Sequence, residues 1–342
     1  MGNLAAHTPL LAGAEQVAFV DIDDTVRQTH GYAKQATGYG YSGVDGLNAL
    51  IGTVSSPLAA PVITATRLRR GAANSARGAA RFVAETLANA IAAGAGGLII
   101  TRADSAFYNA DVVAAIRRAG ARFSITARMD AGIRAAIGRI DEDAWVPIKY
   151  PNAIWDEDEH RWISDAEVAG IDYTAFTSRP ETEQVTARLI VRRVKRLNPA
   201  TSEQGELFSA YRYHAVFTDC PLPMLQVESD HRGHAIVEQV IADLKGSALA
   251  HLPSASFAAN SAWLVCAAMA FNLTRAGGAL ASAFHAKATT ATIRAQLITV
   301  PARIARSARR LRLHLPRDWP WEHDFTDLFD HAIAPNAPPA AA

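Results

Sequence analysis

The spacing of apolar and polar positions along the chain predicts an α/β fold. Apolar runs of strand length, bounded by Gly, Ser and Pro, alternate with longer segments at helical spacing. In chain order we predict strands at 17–23, 47–54 and 60–68, a helix at 74–93, a strand at 97–101, a helix at 110–118 and a strand at 121–127. Three strands followed by two strands with helical crossovers is also the strand order of the RNase H fold. The pattern therefore predicts an RNase H-like mixed sheet flanked by helices.

The second half of the chain has a different pattern. Residues 143–225 are rich in β-formers and aromatic side chains, which predicts an inserted β-rich subdomain, and 188–196 reads as a strand with cations on both faces. Helix returns at about Asp230, a long helix follows at 257–276, and a C-terminal helical and basic region comes after it. The predicted segments are a short lead (1–14), the first part of the core (15–142), the β-rich insertion (143–225), the second part of the core with its two helices (226–290), a basic segment (291–333) and a disordered Ala/Pro-rich tail (334–342).

Composition narrows the class of protein. The chain has 342 residues, of which 49% are hydrophobic and 20% charged, as in a soluble globular protein. Its net charge of +1 gives no sign of nucleic acid, so any basic surface must be local. The two cysteines make neither a disulfide framework nor a metal knuckle, which favours a reducing cytosol. We see no signal peptide in residues 1–15, and the apolar run 262–271 is too short for a bilayer, so no membrane is expected.

Carboxylates gather where two predicted strands end. Asp21, Asp23 and Asp24 close the first strand, and Asp21 and Asp23 alternate with Ile22, so both point to one face. Carboxylates on one face are stable when a metal ion or a proton neutralises them, although a polar strand end that caps a turn has the same residues. Asp104 follows another buried strand, where ligand sites of α/β sheets lie; a lone Asp there is usually a turn or N-cap residue.

A further acid lies on a predicted helix at 231–245. At about 100° per residue, His231, His234, Glu238 and Lys245 fall on one stripe beside the apolar face. A rigid helix would hold Glu238 well as a metal-ligating residue, but an ordinary amphipathic helix has the same pattern.

Asp23, Asp104 and Glu238 together are the kind of set that two-metal phosphoryl chemistry needs. Mg²⁺ prefers oxygen ligands, and two ions can activate an attacking oxygen and stabilise a leaving one.

With these motifs in place, the sequence resembles the DDE transposases of bacterial insertion sequences. That family's first acid lies in an Ile-Asp-x-Thr motif, here residues 22–25 with Asp23 as the acid, and its second in a motif matched by Asp104 to Phe107. Its third motif is Tyr-x2-Arg-x3-Glu-x6-Lys, which Glu238 and Lys245 match while His231 and His234 replace the Tyr and the Arg. Over about residues 15 to 330 the chain looks like the insertion-sequence family numbered thirteen-eighty.

The resemblance implies DNA transposition: hydrolysis at a transposon end gives a 3′-OH, which then attacks target DNA. Asp23, Asp104 and Glu238 would hold two Mg²⁺ ions, with Mn²⁺ able to substitute. The residues expected to contact DNA are Lys245, His234, His231, Arg192, Arg196, Arg303, Arg306, Arg309 and Arg310. A homodimer on DNA, in the cytoplasm and at the bacterial nucleoid, is implied as well.

Two features set the sequence apart from a typical member. The β-rich insertion resembles a subgroup in which an insertion contacts the element end and stacks on a displaced base; Trp155 or Trp162 would do so, unless it is a core residue. About 16 residues precede the first strand, where such transposases have a helical DNA-binding region. The sequence therefore predicts a truncated copy.

Two other functions fit parts of the sequence. Residues 21–25 also resemble the Asp-x-Asp-x-Thr motif of haloacid-dehalogenase-type phosphatases, with Asp21 as nucleophile, Asp23 as acid/base and Thr101 in the second motif. We find no later Gly-Asp-x3-Asp motif, and that interpretation leaves Glu238 and Lys245 unexplained. The chain could also be an inactive DNA-binding remnant of a transposase.

Overall fold

The computed structural model describes residues 2–30, 33–40, 43–148, 154–156, 161–163, 166–195, 211–307 and 309–333. The strands are β1 Val17–Gln28, β2 Gly38–Tyr39, β3 Asp45–Ser55, β4 Val62–Arg69, β5 Leu98–Ala103, β6 Arg122–Thr126, β7 Val146–Ile148, β8 Ile154–Asp156, β9 Arg161–Ile163, β10 Ala166–Ala175, β11 Val185–Lys195, β12 Tyr211–Thr218, β13 Arg303–Ser307 and β14 Arg310–His314. The helices are α1 Gly2–His7, α2 Ala79–Ala92, α3 Ala110–Arg118, α4 Ala131–Ile137, α5 Met224–Arg232, α6 Ile236–Lys245, α7 Phe257–Ala281, α8 Ala283–Lys287, α9 Thr290–Ile293 and α10 Glu322–Ile333.

The chain folds into two compact units. The first contains Met1–Asn74, Glu85–Ile99 and Ile236–Ala342; the second contains Ser75–Ala84 and Ile100–Ala235. These limits differ from the segments predicted from the sequence, which remain predictions.

The first unit is built around β3. This strand pairs antiparallel with β1 along one edge and with β2 and β4 along the other. Helix α6 packs against β1, and α7 packs against β4. Gly52 of β3 lies against Thr86 in the second half of α2. Antiparallel strands thus lie between helices, as an α/β fold requires.

One hydrophobic core of the first unit lies between β3, α6 and α7. In α6 the buried residues are Val237, Val240, Ile241 and Leu244, at the i, i+3, i+4, i+7 spacing of an amphipathic helix. They share one cluster with Leu47 and Ile51 of β3 and with Leu264 and Phe271 of α7. Burial of each such side chain stabilises the fold by about 1.5–3 kcal/mol, so this cluster fixes where α6 lies.

The second unit contains a mixed set of strands. β5 and β6 are parallel and are connected through α3, which packs on β6. β12, β11, β10 and β7 then continue antiparallel from β6. Strands from the predicted insertion thus extend the sheet that begins with β5 and β6. The expected α/β class, a mixed sheet flanked by helices as in RNase H-like proteins, is confirmed.

Two predicted helical segments are wrong in detail. Residues 231–245 do not form one helix, because α5 ends at Arg232, a 3₁₀ turn follows at Gly233–Ala235, and α6 begins at Ile236. The basic C-terminal segment contains the β13–β14 hairpin, and a helix follows only at α10. Alternation of Arg with Ile or Leu in that segment has the period of a strand.

The apolar run at 262–271 lies within α7, which has 25 residues. Among the described helices, α7 is long and apolar enough to cross a membrane, but half of its most apolar window is buried inside the structure. A core helix meets the same criteria, so this is weak evidence for a membrane span.

The tight contact between Gly52 and Thr86 in the first unit predicts a stability effect. A Cβ atom on Gly52 would lie 2.5 Å from Thr86 Oγ1, so we expect Gly52→Ala to destabilise the protein by about 1–3 kcal/mol. Thermal unfolding followed by circular dichroism measures the change. Gly138→Ala is the control, because the atom nearest to a Cβ there is 3.6 Å away; equal melting temperatures for the two variants would contradict the packing.

Candidate active site

The acids of β1 lie in the middle of this strand, which continues to Gln28, and not at its end as predicted; they point to two faces of the sheet. Asp23 lies opposite Ile51 of β3, and cross-strand partners share a face. Since Ile51 belongs to the core against α6, Asp23 points to the α6 side of the sheet. Its Oδ1 accepts a hydrogen bond from the backbone N–H of Asp24 (2.7 Å). Asp21 shares this face but is fully buried, whereas Asp23 is half-buried.

Lys245 lies within electrostatic reach of Asp23. It is the last residue of α6 and is half-buried. Burial and the Arg27 guanidinium lower the pKa of Lys245, and the Asp23 carboxylate partly offsets this by favouring the charged ammonium. The first unit thus brings together the first predicted acid and the predicted phosphate-contacting lysine, more than 200 residues apart in sequence.

Glu238 lies on the same side of α6 as Lys245. Seven residues at 100° bring the two side chains into register, about 10 Å apart along the helix axis. Glu238 is exposed in the first turn of α6, with no hydrogen bond or ion pair to another described residue. Of the predicted stripe, Glu238 and Lys245 therefore do lie on one side of α6.

The two histidines of the predicted stripe lie outside α6. His231 ends up buried in the second unit, where its ring nitrogens are hydrogen-bonded with Ser124 Oγ (2.9 Å) and Thr126 Oγ1 (3.0 Å). Its ring also stacks on that of His234, with centroids 6.3 Å apart. A phosphate contact needs an accessible ring N–H, so this packing argues against a DNA-binding role for His231.

Asp104 directly follows β5, as predicted. It is exposed and is the N-cap of a 3₁₀ turn at Ser105–Phe107, where its Oδ1 accepts from the backbone N–H of Ala106 (3.0 Å). The turn holds the carboxylate in place through one oxygen.

Arg102 is a residue that the sequence interpretation missed. It is buried beside Asp104 in the chain, and its Nη1 donates to the carbonyl of Asp230 in the last turn of α5 (2.5 Å). A Cβ on Gly233 would lie 2.7 Å from the same Nη1. Arg102 therefore satisfies a carbonyl at the break between α5 and α6, where glycine leaves room for it.

A second missed feature is a buried polar network on the opposite face of β1. Asp24 Oδ2 accepts from Asn48 Nδ2 (2.7 Å) and from Arg69 Nη2 (2.7 Å), and Asn48 Oδ1 accepts from Arg69 Nε (2.9 Å). The Asp24 and Arg69 side chains are only 5% and 8% exposed. The network links β1, β3 and β4 next to Asp23. Its signs in the sequence were Asn48 within the apolar run of β3 and Arg69 at the end of β4.

The arginines of β11 bind other parts of the second unit. Arg192 donates to Glu228 (2.7 Å), and Arg188 donates to the carbonyls of Cys220 and Leu222. Arg193, buried, donates to Glu142 and Glu167 between the Trp145 and Tyr211 rings. These contacts argue against β11 as a DNA-binding surface.

Some predicted residues cannot be placed. Arg196 lies outside the described residues, as do the side chains of Trp155 and Trp162 and the tail 334–342. Arg303, Arg306, Arg309 and Arg310 are all exposed.

The chemistry of the candidate ligands suits a hard divalent cation, because Asp23, Asp104 and Glu238 all offer carboxylate oxygens. Within the described residues, no group of three or more His, Cys, Asp or Glu side chains is arranged to hold a metal ion. The metal site therefore stays a prediction from the sequence motifs.

The Asp24–Arg69 pair predicts a large stability effect next to Asp23. Removing one partner leaves a buried charge, so we expect Asp24→Ala and Arg69→Met each to cost about 3–5 kcal/mol. The double variant should lose less than the sum, with a coupling of about 0.5–3 kcal/mol. Urea unfolding measures all four species. The exposed Arg67–Glu85 pair is the control and should cost about 1 kcal/mol or less; additive effects in the buried pair would contradict the network.

Comparison with known families identifies the class of protein. The family model described as Transposase DDE domain group 1 matches residues 9–334, nearly the whole chain. No curated protein matched the sequence. Since this match covers nearly the whole chain, the chain belongs to the transposase DDE domain group 1 family.

Proposed function

We propose that this chain cuts DNA at the ends of a mobile element and joins the freed 3′-OH to target DNA. The observation that supports this best is the proximity of Asp23 and Lys245 in the first unit. They match the first acid and the final lysine of the transposase motifs, and only folding brings them together. Family membership supports a transposase in general, and the detailed reaction is our proposal.

Asp23, Asp104 and Glu238 are proposed to hold Mg²⁺, or Mn²⁺ in its place. Bound ions of this kind activate the attacking oxygen and stabilise the leaving oxygen of a phosphodiester. Each carboxylate is attached to a fixed element: β1 carries Asp23, the turn after β5 carries Asp104, and α6 carries Glu238. Such elements hold side chains more accurately than mobile loops do.

Lys245 is proposed to contact a DNA phosphate as a point charge. Asp23 favours its charged form, while burial and Arg27 disfavour it. A phosphate near the ammonium would favour the charged form further, so DNA binding and the lysine charge support each other.

The partners are proposed on the same basis. DNA is the substrate of the family, and a homodimer acting on paired element ends in the bacterial cytoplasm is the arrangement we propose.

The phosphatase alternative loses support from the position of Asp21. A nucleophile must reach its substrate, and Asp21 is 0% exposed within β1. The family match also points away from a phosphatase.

The triad is tested by conservative substitution. We expect Asp23→Asn, Asp104→Asn and Glu238→Gln each to lower Mg²⁺-dependent nicking of a supercoiled plasmid that carries the DNA flanking the gene. Changes to outer-shell residues of metal sites alone cost about 10–100-fold, so the loss should exceed about 100-fold. DNA affinity measured by gel shift should stay the same.

Matched controls come from exposed acids elsewhere. Asp111→Asn and Glu183→Gln should nick like the unchanged protein. If the unchanged protein binds DNA but never nicks it, the inactive-remnant interpretation replaces this proposal; full nicking by any triad variant removes that residue from the site.

Asp21→Asn separates the transposase from the phosphatase. We expect the folded variant to retain nicking, because Asp21 is buried and has no proposed role in the reaction. Hydrolysis of p-nitrophenyl phosphate by the unchanged protein, abolished in Asp21→Asn, would instead identify Asp21 as a nucleophile.

A further inference from the structure

The β13–β14 hairpin, called the basic ribbon below, has two different faces. In its antiparallel register Arg303 lies opposite His314, Ala305 opposite Arg312 and Ser307 opposite Arg310. Since opposite residues share a face, one face carries Arg303, Arg310, Arg312 and His314. The other face carries Ile304, Arg306, Leu311 and Leu313.

The basic ribbon is exposed along its length. All of β14 and all of β13 except Ala305 are exposed. The described arginines of the ribbon make no ion pair with another described residue, in contrast to Arg192 and Arg193 of β11. The guanidinium groups of the basic ribbon are therefore accessible to a binding partner.

Charge and residue type indicate what that partner is. Residues 294–317 contain several arginines and neither a lysine nor an acidic residue. Like charges on one ribbon face repel each other, and an isolated two-stranded hairpin is only marginally stable in water. A bound polyanion would neutralise the repulsion between the arginines and would stabilise the hairpin through its contacts. Arginine, with its planar fork of donors, forms bidentate contacts with phosphate oxygens.

We propose that the basic ribbon binds the phosphates of duplex DNA through the face of Arg303, Arg310 and Arg312, independently of base sequence. This rests on DNA being the substrate, as proposed above, and adds DNA contacts by residues outside the triad. A two-stranded ribbon fits the width of the major groove, from which arginines reach the phosphates on either side. Arg306, on the apolar face, points away from the DNA.

The salt dependence of DNA binding tests this assignment. The affinity of the full chain for a fluorescent duplex of arbitrary sequence is measured by anisotropy over a range of NaCl concentrations, with EDTA present. Each lost phosphate contact lowers the slope of log affinity against log salt by about 0.9. The triple variant Arg303→Ala, Arg310→Ala, Arg312→Ala should therefore lower the slope by about 2–3, with weaker binding at low salt.

Two controls match the change in charge. Arg310→Ala should lower the slope by about 1, while Arg306→Ala, the same change on the other face, should leave it unaltered. The exposed residues Arg118, Arg134 and Arg139 of the second unit provide a triple alanine variant with the same change in net charge. An equal slope loss in that control, or equal effects at positions 306 and 310, would overturn the proposal.

Further measurements distinguish DNA binding from misfolding, from lipid binding and from a failure of the proposed catalytic function. Circular dichroism establishes that each variant is folded, and the single variants carry the conclusion if the triple variant is not. Binding of the unchanged protein to phosphatidylglycerol vesicles, lost in the triple variant while DNA binding stays constant, would show a lipid surface instead and overturn the proposal. If no form nicks but the slopes change as expected, the ribbon assignment stands and the proposed catalytic function fails.

Discussion

The contact between α6 and the β-strands of the first unit is the constraint on which the candidate site depends. Val237, Val240, Ile241 and Leu244 can be buried only if α6 lies across the sheet with that stripe inward. This fixes the direction of the neighbouring polar stripe, with Glu238 at its start and Lys245 at its end. Hydrophobic packing of α6 thus orients the candidate side chains Glu238 and Lys245.

The two faces of β1 carry acids with different surroundings. Asp23 points to the α6 side and meets Lys245 through space, whereas Asp24, one residue later, points the other way. There it joins Asn48 and Arg69 in a network that ties β1 to β3 and β4. A buried pair of this kind is costly to break but adds little net stability, so its main effect is to hold this part of β1 in one conformation.

Arginine has two contrasting uses in this chain. On β11 the guanidinium groups are half-buried or buried and bind carboxylates, carbonyl oxygens and aromatic rings of the second unit. On β13 and β14 they are exposed on a ribbon without acidic partners in the described chain. Sequence alone gives both strands the same appearance, a run of cations among apolar residues. What separates them is whether folding places an acid within reach, as Glu228 is for Arg192.

Periodicity and strand-end chemistry determined much of this protein. The strands that became β1, β3, β4, β5 and β6 and the helix α3 follow from local patterns, since a buried strand needs a continuous apolar run and a surface helix needs an apolar stripe. Asp23, Asp104 and Glu238 were singled out because their neighbours match short motifs, and their roles stay predictions. The family match over residues 9–334 supports the transposase family that those motifs indicated.

Only the tertiary structure decided the rest. The carbonyl of Asp230, just before the turn at Gly233–Ala235, accepts from the guanidinium of Arg102, which comes from a strand more than 100 residues earlier. The buried position of His231 depends on Ser124 and Thr126, and the pairing of Asp24 depends on Arg69. These outcomes arise from contacts between residues far apart in the chain. The sequence pattern shows whether a segment has the period of a helix or of a strand. It does not show which distant residue will form a hydrogen bond or ion pair with a given polar side chain.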